Sequence, residues 1–395
     1  MNPTPRHRPP PTGQLGTRAK LIRLGTVFGV PVFVTPSWLL VVVFVTISYA
    51  GFLKQQVTGL SSSSSYLLAL LYALGLAASV VLHEFGHTVV SRLLGLPVLR
   101  IVIFLLGGVS EIDGEPRRPR DEFAIALAGP LVSLLLAGGC WGISRLPDES
   151  SAGGVLLTLL AWSNLVIAVF NVLPGLPLDG GRLVQAVIWT VSRSRLTGVR
   201  IASWSGRVLA ALLGLAVLFG SSELSQQGGT GIDTFVATVL GFALAGFLWL
   251  GAGQTLRSAE LGARTATLRL DALIRPSVYL PAQTPVSEAV QAASNWRASA
   301  IVVVDDAGRS RAIAREGDIN SIETRRRPWI TLGEVSRPLE PGLILSDDLP
   351  GAAVLAAVRA TPATEYLVVG RDGVTRGVLA IADLARVLGL RHSTN

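Results

Sequence analysis

A chain of 395 residues that is 50% hydrophobic and only 15% charged departs from soluble globular proteins, in which about a quarter of residues are charged. The apolar excess is gathered into long runs, which excludes one large water-soluble core and points to several membrane spans. The net charge of +8 lies mostly in connections between those runs, so it marks membrane orientation rather than a nucleic-acid-binding face, and the single cysteine, Cys140, excludes an intrachain disulfide framework or a Cys-based zinc site.

Residues 1–25 are rich in Pro and Arg and read as a flexible cytosolic tail ahead of a signal anchor; His7 within it is given no role. Apolar segments near 30–51, 65–95, 122–145, 154–173, 201–220 and 234–255 are each long enough to cross a bilayer, which takes about 20 helical residues. Arg6, Arg8, Arg18, Lys20 and Arg23 precede the first. Arg100, Arg117, Arg118 and Arg120 fill the second connection, and Arg182, Arg193, Arg195 and Arg200 the fourth. The opposite side offers Lys54 and Arg145 beside Asp148, Glu149 and Glu223, so both termini are expected in the cytoplasm. With only Lys20 and Lys54 as lysines, the arginine-heavy usage suits a GC-rich bacterium, hence a multi-pass protein of its plasma membrane.

The connection 97–122 is not an ordinary loop. "VLRIVIFLL" is β-branched, Gly107-Gly108 punctuates it, and "VSEID" alternates, which predicts a short hairpin or edge strand at the membrane face, with a re-entrant apolar segment as the alternative. Beyond the six-span region (26–256) and a linker (257–270) the character changes. Residues 271–395 hold a weak repeat in which a helix, a strand, a Gly-containing turn, a second strand and an acidic helix start recur; neither half could bury much alone, so one paired α/β domain is expected.

The chemistry lies in the second span. "HEFGH" sets His83 and His87 at i and i+4, on one face of a helix with both imidazoles aimed at one point. Glu84 is turned about 100° away, a poor ligand but well placed to take a proton from a zinc-activated water and pass it to a leaving amine. Ionisable groups in a span are costly and need a partner. The other histidines, His7 and His392, lie in the two tails, so the third ligand should be a carboxylate. In "NVLPGLPLDGG" two prolines break the helix and deliver Asp179 to the same membrane face. A turn residue or helix N-cap is the alternative reading of Asp179, but it leaves the histidines unpaired. Asn171 opens that segment and could hold a substrate main chain or polarise a carbonyl; Asn164, seven residues earlier, could act similarly or bridge helices.

These motifs resemble the site-2 protease family of intramembrane metalloproteases over roughly residues 23–255. "HEFGH" is similar to its first zinc motif and "NVLPGLPLDGG" to its second, while "FLLGGVSEI" and "EFAIALAGPLVS" resemble the connecting segment and helix between them. The resemblance implies one zinc ion per chain held by His83, His87 and Asp179, Glu84 as general base, and Asn171 in contact with substrate. It also implies regulated cleavage of membrane-anchored substrates, an anti-sigma factor being one such class, through strand addition at 98–112, where Gly107 and Gly108 would admit a close backbone. The fold implied is a six-helix polytopic membrane protein with a small membrane-level β-sheet, followed by a cytosolic CBS pair that the C-terminal repeat resembles. Asp318 and Asp383 match the aspartates with which such pairs hold adenosine nucleotides. The accompanying hydroxyl positions carry Arg315 and Ala380 instead, which leaves homodimerisation or substrate contact as other roles. The alternative function is a CBS-gated metal or ion transporter. It predicts further charged groups along a path, yet no acidic residue lies deep inside the first, third, fifth or sixth span; Glu122 only borders the third and Asp233 the sixth.

Overall fold

The computed structural model describes residues 21–104, 107–146, 151–226 and 231–389. His7, Asp148, Glu149 and His392 lie outside the described residues, as does most of the expected N-terminal tail. The chain divides into two units, meeting between Ala259 and Glu260.

The first unit begins with strands β1 (Ile22–Val27) and β2 (Val30–Val34). Phe28 and Gly29 join them, both with positive φ (47° and 77°), the conformation of a tight hairpin turn. Helix α1 (Ser37–Gln56) follows Pro36, and α2 (Ser62–Leu93) starts at Ser61, whose hydroxyl accepts from the Ser64 N–H. Strands β3 (Val98–Phe104) and β4 (Gly107–Ile112) then complete a four-stranded sheet of order β1-β2-β3-β4, in which only the β2–β3 pair is parallel. Val30, Val32, Val34, Val98, Ile101 and Ile103 are buried on one face of this sheet, against Trp38, Val80 and Val81. The hairpin expected at 98–112 is therefore half of a larger sheet, and β4 lies at its edge.

Several boundaries differ from the sequence reading. Residues 30–34 are strand rather than the start of the first span, because β-branched Val30, Val32 and Val34 alternate around Pro31 and a helix cannot begin before Pro36. Residues 22–25, read as tail, are paired in β1.

Five helices, one of them short, complete the first unit around a broken segment. Helix α3 (Pro119–Ser144) has Pro at its first position and Asp121 and Glu122 in its first turn, both favourable at a helix N-terminus. Helix α4 (Ala152–Val172) ends just before Leu173-Pro174; the short α5 (Asp179–Ser192) starts after Pro177; and α6 (Arg195–Gln226) and α7 (Gly231–Ala266) follow. Among the described residues six helices are long and apolar enough to cross a membrane, namely all of these except α5. Helix α7 continues to Ala266, so most of the stretch read as a linker is helical; it contains no proline and only one glycine to stop it.

In the second unit β5 (Ile274–Arg275) precedes two βαββα repeats. The first is β6 (Ser277–Pro281), α8 (Val286–Asn295), β7 (Ala300–Val304), β8 (Ser310–Ala314) and α9 (Glu316–Ser321), after which β9 (Ser336–Pro338) returns to pair with β8. The second is β10 (Ile344–Ser346), α10 (Gly351–Ala360), β11 (Glu365–Val369), β12 (Thr375–Ala380) and α11 (Ile381–Leu388). β5 crosses over to join the second sheet. Val302 and Ile313 of one repeat are buried with Leu367 and Val378 of the other, the shared core that a repeat too small to fold alone requires.

Candidate metal centre

Helix α2 carries His83, Glu84 and His87 to the interior of the bundle, where each is less than 9% exposed. Nε2 of His83 and Nε2 of His87 lie 3.3 Å apart, and Oδ2 of Asp179 stands 3.1 Å from the first and 3.2 Å from the second. A tetrahedral zinc with bonds of about 2.0–2.1 Å sets its ligand atoms about 3.3 Å apart, so this triangle has the dimensions of three corners of such a site. The expected trio of ligand-type residues is thus brought together.

Helix α3 orients the two rings. Nδ1 of His87 donates to the Ile125 carbonyl oxygen at 2.7 Å, and Nδ1 of His83 lies 2.9 Å from Ser133 Oγ. Occupying the Nδ1 side leaves both Nε2 lone pairs facing Asp179, the arrangement that second-sphere partners impose on metal-binding histidines. Between these partners lies Gly129, so positions 125, 129 and 133 form one stripe along α3. A Cβ at Gly129 would stand 2.3 Å from His87 Nε2 and 2.6 Å from His83 Nε2, which makes the absent side chain the wall of the cradle. Gly86 does the same for helix packing, since a Cβ there would meet the Ala128 carbonyl oxygen at 2.8 Å.

The Pro-broken segment fixes Asp179 by backbone contact. A Cβ on Gly180 would lie 2.2 Å from the Val172 carbonyl oxygen, and one on Gly181 2.2 Å from the Leu176 amide nitrogen. One turn beyond Asp179, Arg182 donates from Nε to Glu122 Oε1 at 2.8 Å and so ties α5 to the first turn of α3.

Glu84 is held apart from the triangle. Its Oε2 accepts from the Ser110 hydroxyl of β4 at 2.9 Å, and Gly108 of the same strand leaves the room its side chain fills, since a Cβ at Gly108 would stand 2.5 Å from Glu84 Cγ. A ligand-type oxygen of Glu84 nonetheless falls within 4.8 Å of those of both histidines, a separation that one water molecule bridges. Asp179 is the carboxylate in direct contact with both imidazoles, and Glu84 stands to one side.

Asn164 is buried and donates to Ser79 Oγ at 3.0 Å and to the Leu160 carbonyl at 2.8 Å, so it bridges α4 to α2. Asn171, in the last turn of α4, is half-buried. Gly107, with φ +148°, faces open space. In the second unit the two sequence-chosen aspartates are both engaged by arginines. Asp318 pairs with Arg315, while Asp383 accepts from Arg275 at 2.7 Å and Arg386 at 3.1 Å. Arg275 also pairs with Glu316 at 2.7 Å, and both line a cavity of about 260 Å³. Its hydrogen bond holds the Asp383 carboxyl below the usual carboxylate range.

Sequence reasoning did not single out Ser110, Ile125, Gly129, Ser133, Glu122 or Arg182. The stripe at 125, 129 and 133 had a signal in its i, i+4, i+8 spacing. The Glu122–Arg182 pair, sixty residues apart, had none.

A bundle of span-length helices enclosing a His–His–Asp triangle with a glutamate beside it defines a membrane-embedded metallohydrolase type of centre. The sequence comparisons name the family. Peptidase family M50 matches residues 71–148 and 149–216. A Synechocystis protein named as a zinc metalloprotease is 31% identical over 372 residues, covering 93% of this chain and 95% of its own length. The chain belongs to peptidase family M50 and is a metallopeptidase. Among solved structures, the site-2 protease from Methanocaldococcus jannaschii matches with a TM-score of 0.43 at 28% identity, over 60% of this chain and 95% of that one. The CBS domain of a bacterial CNNM/CorC family Mg2+ transporter matches with a TM-score of 0.28 at 16% identity, over 39% of this chain and 95% of that one.

Proposed function

We propose that the protein is a zinc-dependent intramembrane endopeptidase that cuts membrane-anchored proteins within or beside their transmembrane segments, with the C-terminal repeat pair as a regulatory module. The observation that carries this reading is the buried triangle of His83 Nε2, His87 Nε2 and Asp179 Oδ2, with edges of 3.1–3.3 Å. Those three atoms would hold zinc, which would supply an acidified water and a Lewis acid for the scissile carbonyl.

The residues of the chain do the remainder. Glu84, fixed by Ser110, takes the proton of the attacking water and returns it to the departing amine, so that the carboxylate ends as it began. Ser133 and the Ile125 carbonyl keep the imidazoles in one orientation, and Asn171 offers an amide to the substrate main chain. A peptide bond inside a helix is shielded, so cleavage first requires local unwinding. Strand addition to the free edge of β4 would capture the unwound segment with main-chain hydrogen bonds. The arginine-rich connections support cytoplasmic termini and hence a cytoplasmic approach to the site, in a bacterial plasma membrane.

Co-expression with candidate membrane-anchored substrates, anti-sigma factors among them, tests the reading. Wild-type protein should generate a fragment that Glu84→Gln does not. Equal fragment from both would remove Glu84 from the mechanism, and transport of a divalent ion by reconstituted protein without any cleavage would favour the transporter.

A further inference from the structure

Arg207 lies inside a membrane span, far from the metal triangle in role and without a carboxylate to neutralise it. We propose that its guanidinium, framed by Trp204 and Trp249, binds the phosphate of an anionic phospholipid where α6 and α7 meet.

The guanidinium carbon sits 5.0 Å from the ring of Trp204 and 5.7 Å from that of Trp249. Its Nε is buried and has no hydrogen-bond partner, and among the described residues no acidic group pairs with it. Two aromatic faces attract a cation but do not discharge it, and in a low-dielectric setting an unpaired charge is costly enough to demand an anion. Both tryptophans are about half exposed, at 58% and 49%, on a surface that also shows Ile201, Val208 and Leu250 to the surroundings. This surface therefore offers an apolar outer face and one cationic point.

Its depth fits a lipid headgroup. Arg207 follows Arg200 by seven residues, roughly 10 Å along the helix, and Trp249 precedes Arg257 by about 12 Å on α7. Both helices are thus approached from their basic ends. Side chains on a helix lean toward its N-terminus, so Arg207 reaches back over Trp204, toward Arg200 and the membrane surface. Tryptophans at that level mark the interface, and basic pockets between helices there suit acidic headgroups.

The same stretches of α6 and α7 also pack on the segment that delivers Asp179. A Cβ on Gly206 would stand 2.0 Å from the Leu176 carbonyl oxygen, and one on Gly251 2.7 Å from the Pro177 ring. A lipid seated at Arg207 would stiffen the two helices against which that segment rests.

The test uses the full-length protein in nanodiscs of phosphatidylcholine containing a minor fraction of phosphatidylglycerol, transferred to detergent, with retained lipid counted by native mass spectrometry. Wild type should keep phosphatidylglycerol in preference to phosphatidylcholine. Arg207→Gln should keep several-fold less of it, and Arg207→Lys an intermediate amount. Retention of both lipids in proportion to their abundance by wild type overturns the proposal without recourse to any variant. Equal phosphatidylglycerol retention by wild type and Arg207→Gln overturns it too. That holds also when the variant instead weakens capture of a peptide with an acidic flank, which would assign the cation to a protein partner.

Discussion

Charged pairs in the two units are built from the same residue types but sit in different surroundings. In the helical unit two sets are enclosed, Asp179 against two imidazoles and Glu122, only 2% exposed, against Arg182, while Arg120–Asp121 and Arg195–Glu115 lie nearer the surface. In the repeat unit they are numerous and mostly at the surface, as with Asp305 between Arg309 and Arg311, Asp372 with Arg376, and Asp383 between Arg275 and Arg386. A buried pair gains little over an apolar alternative but is costly to break, whereas an exposed pair contributes little either way. The enclosed charges are therefore retained for what they position, and the exposed ones chiefly keep a small domain soluble and its turns in register.

The sharpest way to break this contrast is to remove a member of the triangle. His83→Ala or Asp179→Ala should lose both zinc, measured by metal analysis of the purified protein, and all cleavage. Glu84→Gln should keep its zinc and lose about 10²–10⁴-fold in cleavage rate, the span of general acid–base contributions; a variant that lost its metal would make Glu84 a ligand instead. Arg182→Met leaves the Glu122 carboxylate buried and unpaired, which should lower stability by about 3–5 kcal/mol in a denaturation series. Ser133→Ala should keep the fold and weaken zinc binding about 10–100-fold, the usual cost of a lost second-sphere partner.

The smallest effect belongs to the surface. Asp383 has its folded pKa depressed by Arg275, so its contribution is present above the unfolded carboxylate value of about 4 and fades as pH falls through the lower folded value. Asp383→Asn should lower the thermal midpoint of the repeat unit slightly at neutral pH and flatten its decline in acid. A large drop at neutral pH would show that the exposed arginine cluster is structural after all.

The centre was readable in the sequence to the extent that it obeys local spacing. His83 and His87 follow from an i, i+4 interval, and Asp179 from prolines that must interrupt a helix. The groups that orient them come from α3 and β4; Gly129 and Ser133 share only an i, i+4 spacing along α3, and nothing local announces Ser110, because a small residue acquires its role only from what is packed against it. The fold shows the same division. The second, third and fourth apolar runs were placed within three residues of their helices, whereas β1 and β2 went unread because short strands depend on partners distant in sequence, here β3 some seventy residues on.

The glycines that close on the centre have a consequence for variation. Gly129, Gly180, Gly181 and Gly206 bear no functional group, yet a single added carbon at any of them would collide with an imidazole nitrogen of the triangle or with main chain at 2.0–2.3 Å. In a saturation-mutagenesis library scored for cleavage, these four positions should be as intolerant as His83, His87 and Asp179, and alanine should be rejected along with every larger residue. The bundle's lipid-facing leucines and valines should accept most apolar exchanges. A heat map of such a library would trace the catalytic centre largely through positions where nothing can be added.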